Sequence, residues 1–168
     1  MIQFYYRGMS ALSLCENSPI LDPDRNFFGE NHNLFTQYLV QLQQSGINQV
    51  IRDTYDNPLE NILRWSLRDL HSPSIDFTPN YDDAVSYAQN FCGSQLLHNL
   101  KLITEQVNGF SDMKNEVVRV LNKEYLRPHR PIVLKVNANC GKFIFTEFDN
   151  IVKLIAPLSL SEIKEIIV

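Results

Sequence analysis

The chain is short of cysteine, of basic excess and of long apolar runs, and each shortage narrows what it can be. Cys15, Cys92 and Cys140 are odd in number, widely spaced and form no CxxC. That removes support for a disulfide framework or a cysteine zinc site and fits a reducing compartment, the cytoplasm. Histidines at 32, 71, 98 and 129 show neither HxxxH nor HxE spacing, so no metal site is expected. No segment approaches the ~18 continuous apolar residues of a membrane span. Met1-Ile2-Gln3-Phe4-Tyr5-Tyr6 also lacks the basic start and apolar run of a secretory signal. With 15 Lys+Arg against 19 Asp+Glu and a net charge of −4, the chain has no excess of cations for bulk nucleic-acid binding. One placed Arg is still enough to hold a nucleotide. GxGxxG, the P-loop pattern GxxxxGKS/T and GxSxG are all missing.

What is present is core-forming surface. Ten Phe, seven Tyr and one Trp in 168 residues exclude a disordered chain and predict one compact domain. Ile2-Gln3-Phe4-Tyr5-Tyr6 reads as a strand ended by Gly8, with Arg7 at its exit. A loop with two prolines spans Cys15 to Gly29. From Leu34 to Gln44, Leu34, Phe35, Tyr38, Leu39 and Leu42 recur at helical spacing, and Gly46 stands at the C-cap. Asn57-Pro58-Leu59-Glu60 reads as an N-cap, a first-turn Pro and a capping-box Glu for a helix burying Leu59, Ile62, Leu63, Leu67 and Leu70. His71 to Pro79 breaks the pattern, and Asn80 caps a third helix with Ala84, Tyr87, Ala88 and Phe91 inward. Helices follow over Gln95 to Val107 and, capped by Ser111, over Asp112 to Tyr125. Strands are expected over Ile132–Val136, Lys142–Phe145 and Ile151–Ile155, while Ser159 to Val168 reads equally as helix or strand. The class is α+β.

Four short features could carry chemistry. In Tyr5-Tyr6-Arg7-Gly8, an Arg at a strand end beside a Gly that admits a ligand suits phosphate or carboxylate; the same residues also fit a surface Arg beside a turn. In Ile75-Asp76-Phe77-Thr78, alternation sends Asp76 and Thr78 to one side and Phe77 to the other, ahead of a helix N-terminus. There Asp76 reads either as a ligand-facing group or as a turn residue. In Thr146-Glu147-Phe148-Asp149-Asn150 the two carboxylates share a face if the strand continues; otherwise they are solvated turn residues. Asn139-Cys140-Gly141-Lys142 reads as a hairpin turn, and Cys140 has no basic partner to activate it.

Together these features resemble the FRG domain, a bacterial and phage family named for an aromatic-Arg-Gly motif and grouped with the ADP-ribosyltransferase-like folds. Tyr6-Arg7-Gly8 matches that motif, and Glu30 matches the acidic residue that follows. His71 and Pro73, then Asp76-Phe77-Thr78, Ala84 and Tyr87-Ala88, resemble the family's His and Pro before Asp-Trp-Thr and its later Ala and aromatic-Ala pair. Ile151 to Pro157 with Glu162-Ile163 resembles the closing segment.

The resemblance implies a split mixed β-sheet with a helical middle section, and NAD as substrate with no metal. It implies catalytic roles for Glu147, Asp149 and Arg7, and an NAD site drawn from Arg7, Gly8, Tyr6, Asp76, Phe77, Thr78, Tyr87 and His71. Arg7 would neutralise phosphate and Glu147 would stabilise the positive charge that grows on the ribose. Tyr87, Phe77 or Tyr6 would wall the nicotinamide. The implied activity is mono-ADP-ribosyl transfer to a protein acceptor, in the cytoplasm or in a cell into which the protein is delivered as an effector. The alternatives are a noncatalytic FRG-like module binding a nucleotide or protein, and a metal-dependent hydrolase built on Glu147, Asp149 and Asp76.

Overall fold

The structure is a computed structural model, and it describes residues 3–15, 17–91, 94–126, 130–148 and 150–167. In chain order the elements are β1 (Phe4–Ser10), α1 (Asn31–Ser45), β2 (Val50–Ile51), β3 (Asn57–Pro58), α2 (Leu59–His71), β4 (Asp76–Phe77), α3 (Tyr81–Asn90), α4 (Gln95–Gln106), α5 (Ser111–Val120), β5 (Pro131–Asn137), β6 (Phe143–Phe145), β7 (Val152–Leu154) and β8 (Ile163–Ile167). The fold is thus mixed helix and strand, with several small sheets. No helix among the described residues is long and apolar enough to cross a membrane.

The chain forms two compact units, each assembled from separated segments. The first comprises Met1–Arg25, Ser74–Ser94 and His129–Val168 and contains six of the strands together with α3. The aromatic and β-branched residues of β1 pair antiparallel with the Ile-Val-Leu run of β5, with Arg7 opposite Leu134 and Gly8 opposite Val133. β5 pairs in turn with β8, giving the order β1-β5-β8; a second sheet has the order β4-β7-β6. Every strand pair in both is antiparallel, so the mixed sheet expected from the resemblance is not formed among the described residues. Between β1 and β5 lie more than 100 residues of connection, which leaves either direction of pairing open. Tyr5, Met9, Phe77, Leu134, Val136, Val152 and Leu154 form the core of this unit. Asn139 to Lys142, expected as a hairpin turn, instead carries the chain from one sheet to the other. Asn137 caps the 3₁₀ turn Ala138–Cys140, and Gly141 takes the left-handed conformation, φ 76°.

The second unit, Asn26–Pro73 and Gln95–Pro128, is helical apart from the short pair β2–β3. Part of its core is predicted by spacing, with Phe35, Tyr38, Leu39 and Leu42 from α1 and Leu59, Ile62, Leu63 and Leu70 from α2 all buried and Leu34 half-buried; Leu97, Leu100, Ile103, Val117 and Val120 from α4 and α5 join it. Leu67 is only half-buried, and Ser66 takes the inward place because its Oγ accepts a hydrogen bond from Asn99 Nδ2 at 3.1 Å. Burial pushes the Tyr38 phenol up to about 12 and leaves its hydroxyl without a partner. Two caps differ from expectation. Asn57-Pro58 is extended and pairs with Val50-Ile51, so α2 starts at Leu59 behind Pro58 at ψ 136°. Phe110, with φ 51°, occupies the cap position of α5, which makes Ser111 the first helical residue. Beyond Val120 the helix widens into a π-helical segment over Leu121–Leu126, and Tyr125 packs its ring on Phe27, Phe28 and Phe35.

Candidate functional site

The two small sheets of the first unit meet at one point. Tyr6 N–H donates to Thr78 O at 2.7 Å and Thr78 N–H donates back to Tyr6 O at 2.8 Å. Arg7, one residue further along β1, sits where the sheet divides, and its Nη1 donates to the Asp76 carbonyl at 2.7 Å. The Nε–H of Arg7 is shut away from solvent and has no hydrogen-bond partner. Burial lowers the Arg7 pKa, opposed by the nearby Tyr87 hydroxyl and Asp76 carboxylate. An Arg stays charged under such a shift, so the site holds a guanidinium with a spare donor in a poorly solvated place.

The strand that faces it behaves as its alternation predicts. Phe77 is buried, with its ring 5.0 Å from Phe143, while Asp76 is exposed and Thr78 half-buried. The Asp76 carboxylate accepts from Ser74 Oγ at 3.0 Å. Thr78 Oγ1 accepts from Asn80 N–H at 3.1 Å, and the Asn80 side chain accepts from the N–H groups of Asp82 and Asp83, which starts α3 as expected.

Gly8 has a different partner from the one its sequence position suggests. A Cβ there would lie 1.8 Å from the Ala84 carbonyl oxygen and 2.7 Å from the Ala88 nitrogen. The missing side chain therefore makes room for helix α3, and Ala84 and Ala88 are buried against it. This contact explains why small residues recur four apart on that helix. It also brings Tyr87 into electrostatic range of Arg7, with its ring stacked on Phe91 at 5.2 Å.

Of the expected site residues, Tyr6, Arg7, Gly8, Asp76, Phe77, Thr78 and Tyr87 are brought together. Phe77 belongs to the core, which leaves Tyr6 and Tyr87 as the accessible aromatic rings beside Arg7. Glu147 is exposed in the loop joining β6 to β7. In strand order that loop joins the two strands β7 and β6, with β4 lying between β1 and the nearer of them. Asp149 lies outside the described residues. His71 ends α2 in the second unit, exposed, with its ring 6.2 Å from that of His32. Glu30 also belongs to the second unit. One neighbour went unread in the sequence. Tyr81 sets its ring against Tyr6 at 5.5 Å, and the Tyr87–Phe91 stack was legible as an i,i+4 aromatic pair. Among the described residues no cluster of three or more His, Cys, Asp or Glu could hold a metal ion. No protein-family model, curated protein or solved structure matches the chain.

Proposed function

We propose that the chain is an FRG-like mono-ADP-ribosyltransferase, with the divided sheet and helical middle of an ADP-ribosyltransferase-like fold, acting on NAD in a reducing compartment. The observation that carries this reading is Arg7, whose buried Nε–H has no partner and whose Nη1 is anchored on the Asp76 carbonyl. A charged donor held in that state suits an anionic oxygen of a dinucleotide. Tyr6 and Tyr87 offer aromatic faces beside it, and Asp76 and Thr78 offer groups for a ribose hydroxyl. In the reaction the nicotinamide–ribose C–N bond breaks and its electron pair leaves with nicotinamide. A nucleophilic side chain of the acceptor protein then bonds to the ribose carbon and loses its proton to a carboxylate, Glu147 or Asp149, which also stabilises the charge on the sugar.

One observation favours a second reading, a noncatalytic nucleotide-binding module. Glu147 stands in an exposed loop several strands from Arg7. Calorimetry with NAD and transfer of label from NAD to lysate proteins separate the two. The transferase reading expects binding that weakens at least ~10-fold in Arg7→Ala, and label transfer that Glu147→Gln abolishes while NAD still binds. Binding without transfer or nicotinamide release supports the module; no NAD binding overturns both.

A further inference from the structure

The free edge of the β4-β7-β6 sheet is unlike the other free edge of this unit. On β8 the exposed positions include Lys164 and Glu165, charges that discourage another strand from pairing there. On β6 the run Phe143-Ile144-Phe145-Thr146 has neither charge nor Pro. Phe143 packs inward on Tyr5 and Phe77, but Ile144 is 47%, Phe145 82% and, in the adjoining loop, Phe148 62% exposed.

The backbone of that edge is also free. Ile155 N–H donates to Lys142 O at 2.9 Å and Thr146 N–H donates to Ile151 O at 3.3 Å. Antiparallel alternation then turns Ile144 toward its β7 partner Lys153 and points the N–H and C=O of Phe143 and Phe145 outward. Among the described residues nothing bonds to those outward groups.

The geometry points to β6 as the seam of a two-fold dimer, in which β6 of a second copy pairs antiparallel with β6 of the first. A two-fold axis at Ile144 sets each Phe143 opposite Phe145 of the other copy, and each such pair exchanges two N–H···O bonds. Ile144 meets its own counterpart across the axis on one face, while Phe145 lies over Phe143 of the other copy on the opposite face. The edge is therefore complementary to itself, and the joined sheet runs through six strands. The three exposed side chains offer on the order of 400 Å² of apolar surface per copy. Doubled across the axis this is at most about 800 Å², below the ~1,000 Å² that a stable specific interface clears, so the dimer is weak and reversible.

Sedimentation velocity over a concentration series tests this directly. Wild type is expected to pass from monomer to dimer at micromolar to high micromolar concentration. Ile144→Lys alone and Ile144→Glu alone each place like charges across the axis and should weaken dimerisation at least ~10-fold. An equimolar mixture of the two should restore a heterodimer, a recovery that misfolded variants would not give. A wild type that stays monomeric to about 1 mM overturns the proposal, as does a dimer indifferent to both substitutions or a mixture that stays monomeric while wild type dimerises.

Discussion

Gly8 carries a structural duty at a position where a binding duty was expected. The backbone of α3 passes so close that a Cβ on residue 8 would overlap the Ala84 carbonyl, 1.8 Å away. That neighbour is helix backbone, so no rotamer change can relieve the overlap, and either the helix or the strand must move. Overpacking of this kind costs about 1–3 kcal/mol, more where backbone is displaced. Gly8→Ala is therefore expected to lower the urea midpoint of unfolding and to shift Arg7 away from the Asp76 carbonyl, since both hang on the same stretch of β1. Equilibrium denaturation measures the first effect. An unchanged midpoint would mean that α3 does not pack on β1 as closely as described.

At the scale of elements, the turn before β8 is held by a carboxylate that titrates. Glu162 accepts from Lys142 Nζ and from the N–H and hydroxyl of Ser159, a capping box that ties the start of β6 to the 3₁₀ turn Leu160–Glu162. The lysine first, and then the Ser159 N–H, hold the Glu162 carboxyl below its usual 4.5. A carboxylate with a depressed folded pKa contributes stability that is full above its unfolded pKa and is lost as pH falls through the folded one. Wild type should thus lose more of its melting temperature than Glu162→Gln between about pH 5 and pH 3, and calorimetric scans across that window check it. Elements defined by local chemistry were legible in the sequence in just this way. Gly46 ends α1 in the left-handed conformation, Asn80 caps α3, and the Ile-Val-Leu run is β5. Asn57-Pro58, Ser111 and Asn139-Cys140-Gly141 were misread because each carries turn or cap chemistry that fits two outcomes. Which one forms depends on a partner outside the motif: Val50-Ile51, six to eight residues back, for the first, and the separate sheet that takes up β6 in the third. The candidate site divides along the same line. Tyr6-Arg7-Gly8, Asp76-Thr78 and Tyr87-Ala88 come together because a strand bridge and a helix joined to it by a short turn hold them. The loop position of Glu147 follows from strand order, which spacing along the chain does not encode.

At the scale of the molecule, the chain passes between its two units four times, after Arg25, Pro73, Ser94 and Pro128. Length and composition carry no trace of such interleaving. One consequence is testable by shortening. A chain ended at Leu126 keeps α1, α2, α4 and α5 whole but loses β5 to β8, and with them every long pairing of β1. Hydrogen exchange should find protection retained in those four helices and lost in β1, β4 and α3; protection persisting in β1 would contradict the pairing described. The same connectivity sets an order of events during synthesis. β1 is made before its partner β5, which follows about 120 residues later, a wait of roughly 6–25 s at typical translation rates. Through that interval an aromatic strand waits without its sheet partner while the helical unit is made, the last segment of that unit ending at Pro128, just ahead of β5, which leaves β1 a strand for a chaperone to shield.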